Sequence, residues 1–175
     1  AAVIDAIDVA AARSEGLDHE AGADNVLRAP FGFRGGARRV TIQNNSIVGN
    51  SQTGITVANA ADVLIGGNHP QSPNDIAFNP IGVSLEGANA IRAQVLANRI
   101  SQNTNGIVLR DGARDNLIGS SNRITQNLTG IQVTGARSNS ILNNLIERNT
   151  GAGVLFDGGA TANTLRGNTI LANGI

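Results

Sequence analysis

Glu86, Arg110 and Asp111 are the residues of this chain whose types and spacing come nearest to a reaction centre. Glu86 and Arg110 are 24 residues apart, which is also the commonest spacing of a repeat that runs along the chain. They would therefore lie on neighbouring turns of whatever the repeat builds, with Asp111 next door. A carboxylate beside a guanidinium suits chemistry on uronic acids. That chemistry needs a base for the proton at C5 of the sugar and a cation, calcium or arginine, for its carboxylate. A cluster of acids for calcium, or a carboxylate pair flanking a bond, is missing from the pattern. Ordinary surface charge is the plain reading of these three residues. A second set comprises Arg99, Arg123, Gln132 and Asp157. Arg99 and Arg123 would make a cationic stripe for an acidic polysaccharide, or else a solvated charge ladder with Asp75 and Glu147, worth a few tenths of a kcal/mol per pair, about 0.2–1. Asp157 would lie two turns, roughly 10 Å, from Arg110.

The elements that must position these residues are short and recurrent. The pattern Asn-x-Ile-x-x-Asn begins at Asn45, Asn74, Asn98, Asn122, Asn144 and Asn168, at intervals of 29, 24, 24, 22 and 24 residues. Each copy carries three apolar pieces. The first is of the type Val63-Leu64-Ile65, the second is the Asn-x-Ile segment, and the third is of the type Gly106-Ile107-Val108-Leu109. Turn residues such as Asp111-Gly112-Ala113-Arg114-Asp115 close the copy. Pieces of three to five residues that alternate apolar and polar are strands, and none is long enough for a helix. Three strands per 22–24 residues at near-constant period predict a parallel β-helix of five to six coils. Each coil buries its inner face only against its neighbours, stacked about 4.8 Å apart.

Strand periodicity then assigns the columns. Asn45, Asn74, Asn98, Asn122, Asn144 and Asn168 would stack as an amide ladder that locks register, and Asn50, Asn79, Asn103, Asn127, Asn149 and Asn173 as a second one. Glycines 54, 82, 106, 130 and 153 suit tight turns with positive φ, or close packing. Outward columns are Ser46, Asp75, Arg99, Arg123, Leu145, Thr169 on the second strand and Thr56, Ser84, Val108, Gln132, Leu155 on the third. The residue past the third strand runs Ala58, Glu86, Arg110, Thr134, Asp157.

Composition agrees with a narrow aliphatic interior. The chain has 22 glycines and four phenylalanines, with no Trp, Tyr, Met or Cys. Sugar clefts usually offer Trp or Tyr as stacking platforms, and Phe31, Phe33, Phe78 and Phe156 read as core or cap residues. Net charge is zero, which gives no electrostatic case for nucleic acid or an anionic membrane. Cysteine chemistry is excluded, and no apolar run is long enough for a membrane span. No metal or cofactor is expected: His19 and His69 have no partner at ligand spacing. No Gly-x-Ser-x-Gly nucleophile motif occurs.

Residues 1–31 differ from the rest and are expected to cap the solenoid. Val3, Ile4, Ile7, Ala10 and Ala11 fall near helical spacing up to Gly16, so a short helix over 1–16 is the expectation, with a strand as the rival because Val3, Asp5, Ile7 and Val9 alternate. Residues 17–30 read as a loop leading to an incomplete first turn at Gly32-Phe33. The long interval holds an outward loop, Gly66 to Pro73. The sequence starts at Ala1 and stops at Ile175 within a repeat, so removal of a leader or origin in a longer solenoid is expected. An open strand edge at that end would also permit end-to-end self-association.

The run Leu64-Ile65-Gly66-Gly67, then Asn74-Asp75-Ile76-Ala77-Phe78-Asn79, then Gly82-Val83 resembles the right-handed parallel β-helix proteins of the pectate-lyase-like superfamily. The similarity is nearest to secreted or surface bacterial β-helix repeat proteins and covers residues 32–175. It implies an all-β, right-handed, single-stranded β-helix. It leaves activity open, since that superfamily holds lyases, hydrolases, epimerases, adhesins and repeats of no known activity. The leading expectation is a non-catalytic structural or adhesive segment of a secreted or cell-surface protein, with a polysaccharide or other surface ligand as partner. The alternative is a polysaccharide lyase, epimerase or hydrolase acting on acidic glycans.

Overall fold

The computed structural model describes residues 2–4, 26–27, 31–34 and 36–174. The chain winds as a parallel β-helix with three sheets. Sheet A has seven strands, from Ala2–Ile4 through Val40–Ile42 to Thr164–Arg166. Sheet B has seven, from Val26–Leu27 through Ser46–Val48 to Thr169–Leu171. Sheet C has six, from Phe31–Arg34 through Thr53–Ala58 to Val154–Asp157. Every pairing is parallel and joins corresponding strands of consecutive coils. Five complete coils follow the first set of three strands, and two strands follow them.

Register makes the interior a set of aliphatic columns. Ile42, Ile65, Val95, Ile118 and Ile141 stack in sheet A. Ile47, Ile76, Ile100, Ile124 and Ile146 stack in sheet B. Sheet C supplies two columns, for example Val57, Leu85, Leu109 and Val133. All these side chains are fully buried. A further column of small residues, Ala60, Ala90, Ala113 and Ala136, fills the tight corner where sheet C hands over to sheet A.

Two of the three corners turn on the expected amides. Asn98 shows the arrangement. Its Oδ1 accepts from the backbone N–H and the Nδ2 of Asn74, at 3.1 and 2.9 Å. Its Nδ2 donates to the Ile65 carbonyl (2.9 Å), the Leu96 carbonyl (3.1 Å) and Asn122 Oδ1 (3.2 Å). Asn103 repeats the pattern in the second ladder. At the remaining corner the last coils have a shorter third ladder, Asn116, Asn139 and Asn163, where earlier coils hold Val63 and Ala93.

Glycines 54, 82, 106, 130 and 153 are in sheet C or at its edge, without positive φ. Of the two reasons expected for them, close packing is the operative one: a Cβ on Gly106 would lie 2.5 Å from the Gly130 carbonyl oxygen and 3.0 Å from Ile124 Cγ2. Positive φ falls instead on corner residues, among them those that precede Asn45, Asn50, Asn79, Asn98, Asn103 and Asn127.

In the first segment, Ala2–Ile4 pairs with Val40–Ile42, Val26–Leu27 with Ser46–Ile47, and Phe31–Arg34 with Ile55–Ala58. Residues 2–4 are thus strand, not the start of the helix expected over 1–16, and residues 26–27 are strand where a loop was expected. The rest of both segments, His19 included, lies outside the described residues. Among the described residues no helix is long and apolar enough to cross a membrane. The 66–73 loop leaves between sheets A and B as expected, with Asn68 to Gln71 exposed.

These contacts predict a graded response to substitution. Asn98→Ala orphans buried groups on two neighbouring coils and should cost about 2–4 kcal/mol. Gly106→Ala should cost about 2 kcal/mol by driving a methyl into backbone. Thr104→Ala, on the exposed surface, should stay within about 0.5 kcal/mol. Urea unfolding of the three variants checks the order.

Candidate functional site

The outer edge of sheet C brings the leading candidates together. Glu86 and Arg110 are register partners on adjacent coils, and the guanidinium grips Glu86 Oε2 through Nε (2.9 Å) and Nη2 (2.5 Å). Ser84 Oγ donates to the same oxygen at 3.2 Å. Asp111 Oδ2 is 3.7 Å from Arg110 Nε. One arginine therefore stands between two carboxylates, so the cluster is net anionic. A uronate approaching it would meet no free cation, and the Glu86 oxygen nearest Arg110 already accepts three hydrogen bonds.

Asp157 is further along the same edge. Thr134 Oγ1 donates to its Oδ1 and Gln132 Nε2 to its Oδ2, the latter at 3.2 Å. Register places Asp157 three strands from Glu86, roughly 14 Å. Paired carboxylates of glycoside hydrolases stand about 5–9.5 Å apart, so these two do not form such a pair. Ser84 and Val108, expected to face outward, are on the outer side of sheet C but covered by their neighbours.

On sheet B, Asp75, Arg99 and Arg123 stack in the expected column. Arg123 Nη2 donates to Glu147 Oε1 at 2.9 Å, and Glu147 is almost wholly buried. Asp75 and Arg99 do not pair: no ion pair within 4.0 Å joins them. Their Cα atoms are in register, but two strand neighbours pointing straight out need not converge at their tips. The cationic stripe thus reduces to Arg99 and a half-neutralised Arg123.

A further ionic cluster escapes strand-based reading because its members are corner residues. Asp62, Arg92 and Asp115 occupy the positive-φ position before sheet A on three successive coils, at φ 55–58°. Arg92 chelates Asp62 through Nε (2.6 Å) and Nη2 (3.0 Å), and Asp115 pairs with Arg114 at 2.7 Å. Hydrogen bonding from Arg92, with the charges of Arg92, Arg38 and Arg39, holds the Asp62 carboxyl below its ordinary range, and Asp62 in turn raises Arg92. These residues rim a shallow depression of about 410 Å³ over Leu64, Gln94 and Leu117. Among the described residues no three His, Cys, Asp or Glu side chains come together as a metal centre, and His69 is an exposed loop residue whose Nδ1 accepts from the Gln71 N–H.

Phe78 departs from the expectation of a core or cap residue. It is the most exposed large hydrophobic side chain among the described residues, at 59%, because it occupies the corner position just before ladder residue Asn79. Phe156 is in a core column but exposed with Leu165 and Ile170 on the last coil, the apolar surface that a further coil would cover.

The family described as right handed beta helix region matches residues 32–175. Among solved structures the chain is similar to the periplasmic alginate epimerase AlgG, at 20% identity and TM-score 0.59 over 74% of this chain and 39% of that one. A mutant of that epimerase gives 20% identity and TM-score 0.62 over 83% and 42%. This chain spans about two fifths of the length of those structures, and at this identity the likeness is one of fold. No curated protein matches.

The Asp62 result has a measurable sign. Its folded-state pKa lies below the unfolded one, so its contribution to stability is present above the unfolded value and is lost as pH falls through the folded value. Arg92→Ala should return the Asp62 carboxyl upward toward the ordinary aspartate range, as read by carboxyl-carbon NMR titration. An unmoved titration would show that the pair does not form in solution.

Proposed function

This chain belongs to the right-handed β-helix family, and on that footing we propose that it is a non-catalytic β-solenoid, a structural or ligand-binding segment of a secreted or cell-surface protein. One observation carries the reading: of the candidate carboxylates, Glu86 and Asp157 are engaged by side chains of neighbouring coils, as is Glu147, while Asp111 stands exposed beside Arg110 of its own coil. Glu86 is held by Arg110, Asp157 by Thr134 and Gln132, and Glu147 by Arg123. Each contact joins adjacent coils and acts as a clamp across them, where a general base needs a lone pair open to substrate. A partly exposed pair such as Glu86–Arg110 stabilises by about 0–1 kcal/mol, a fitting scale for groups that trim register.

The second reading, an enzyme acting on acidic glycans, is favoured by the juxtaposition of Glu86, Arg110 and Asp111 and by the fold it shares with an alginate epimerase. It would require Asp111 to serve as the base, or Arg110 to release Glu86 when substrate binds.

Incubation with alginate, polygalacturonate and related polymers decides between the two. Unsaturated ends report a lyase, new reducing ends a hydrolase, and altered uronate composition by NMR an epimerase. The expected outcome is no change in any polymer. Turnover that Glu86→Gln or Arg110→Ala abolishes would overturn the non-catalytic reading.

A further inference from the structure

The corner between sheets B and C turns on one left-handed residue per coil. Those that stack there are Gly49, Phe78, Gln102, Gln126, Arg148 and Ala172, with φ from 53 to 69°. Their alignment follows from the register of the strand residues before them and from the asparagine ladder after them. A left-handed backbone disfavours a side chain, and Gly49 makes the same turn without one. Phe78 makes it with the bulkiest side chain of the column, turned out to solvent.

Nothing in the core explains Phe78, since its ring contributes little to burial. Its neighbours in the column are polar and exposed: Gln102, Gln126 and Arg148. At one strand spacing per coil, Phe78 to Arg148 spans roughly 14 Å. Pro80 and Leu128, the latter 52% exposed, flank the same strip two residues further along the chain. Arg148 makes no ion pair within 4.0 Å among the described residues.

We propose that this strip binds an extended acidic oligosaccharide, a ligand class for the segment that rests on the reading above. The face of Phe78 is a platform for the C–H face of a pyranose ring. The carboxamides of Gln102 and Gln126 each donate and accept, as sugar hydroxyls demand. Arg148 offers a free planar fork for a uronate carboxylate. A protein partner would favour a desolvated apolar centre with a polar rim. This strip is one residue wide, with polar groups between its apolar end and its charge, and it repeats along a line.

Titration calorimetry with hexameric oligomannuronate, hexameric oligogalacturonate and neutral cellohexaose tests the proposal. The protein should bind an acidic hexamer more tightly than the neutral one. Phe78→Gly should weaken binding about tenfold while leaving the thermal midpoint unchanged or higher, because glycine suits the turn. Arg148→Gln should weaken acidic hexamers several-fold and spare any neutral binding, and the Gln102→Gly, Gln126→Gly double variant should weaken both. Absence of binding to all three hexamers overturns the proposal, as does unchanged affinity in Phe78→Gly and Arg148→Gln. So does a wild-type chain whose only Phe78-dependent association is with itself. Turnover of a polymer would sink the non-catalytic reading and leave the strip standing; absence of binding would do the reverse.

Discussion

The buried side-chain amide is the constraint on which the structure depends. At most ladder positions the chain turns within a single left-handed residue, which turns backbone N–H and C=O groups into an apolar interior. An unpaired buried group there would cost about 1–3 kcal/mol. Asparagine supplies an acceptor for the coil on one side and donors for its own turn and for the coil on the other, as Asn98 does between Asn74 and Asn122. Aspartate lacks the donor, serine lacks the reach, and glutamine carries an extra methylene in a column spaced by one strand. The ladder is therefore chemically narrow, and that narrowness makes it periodic in the sequence.

Fixed register has a second effect. Once amides and aliphatic columns set which residue lies above which, every outward position has a known neighbour. The pairs Glu86–Arg110 and Arg123–Glu147 and the Thr134–Asp157 contact each link coil to coil. Their charges add to an alignment that the interior already determines. Removing one should loosen a clamp without shifting a strand, which is why charge on these faces is a poor guide to catalysis.

The repeat period, the parallel register, both long ladders and the outward columns were all legible in the sequence, because each depends on residue types that recur at strand spacing. What escaped reading sits where spacing varies or where type misleads. The third ladder, Asn116, Asn139 and Asn163, serves only the last coils and is interrupted by Val63 and Ala93. Asp62 and Arg92 lie in turns of unequal length, so no fixed offset pairs them. The sheet C glycines are small because a neighbouring carbonyl leaves no room, a fact about distance that composition does not carry. By its apolarity Phe78 reads as a core or cap residue. Its place immediately before Asn79, shared with Gly49, Gln102, Gln126 and Arg148, is the signal that puts it outside.

That last column shows where such a fold has freedom to act. Inside, an aliphatic or amide is bound to two neighbours, and substitution disturbs three coils at once. On the strand faces, side chains are partly held by the next coil. At the left-handed corners between sheets B and C, each turn residue is followed by a ladder asparagine, and its side chain is directed to solvent. A bulky residue there carries a strain of about 1–2 kcal/mol relative to glycine. The ladder and the columns beneath tolerate that because they over-determine the turn. Five or more such corners stacked at strand spacing amount to a line of independently variable side chains on a rigid rod. An extended polymer with its own regular repeat is the kind of ligand that a line of this geometry can follow, and Phe78 is a residue whose presence the fold alone does not require.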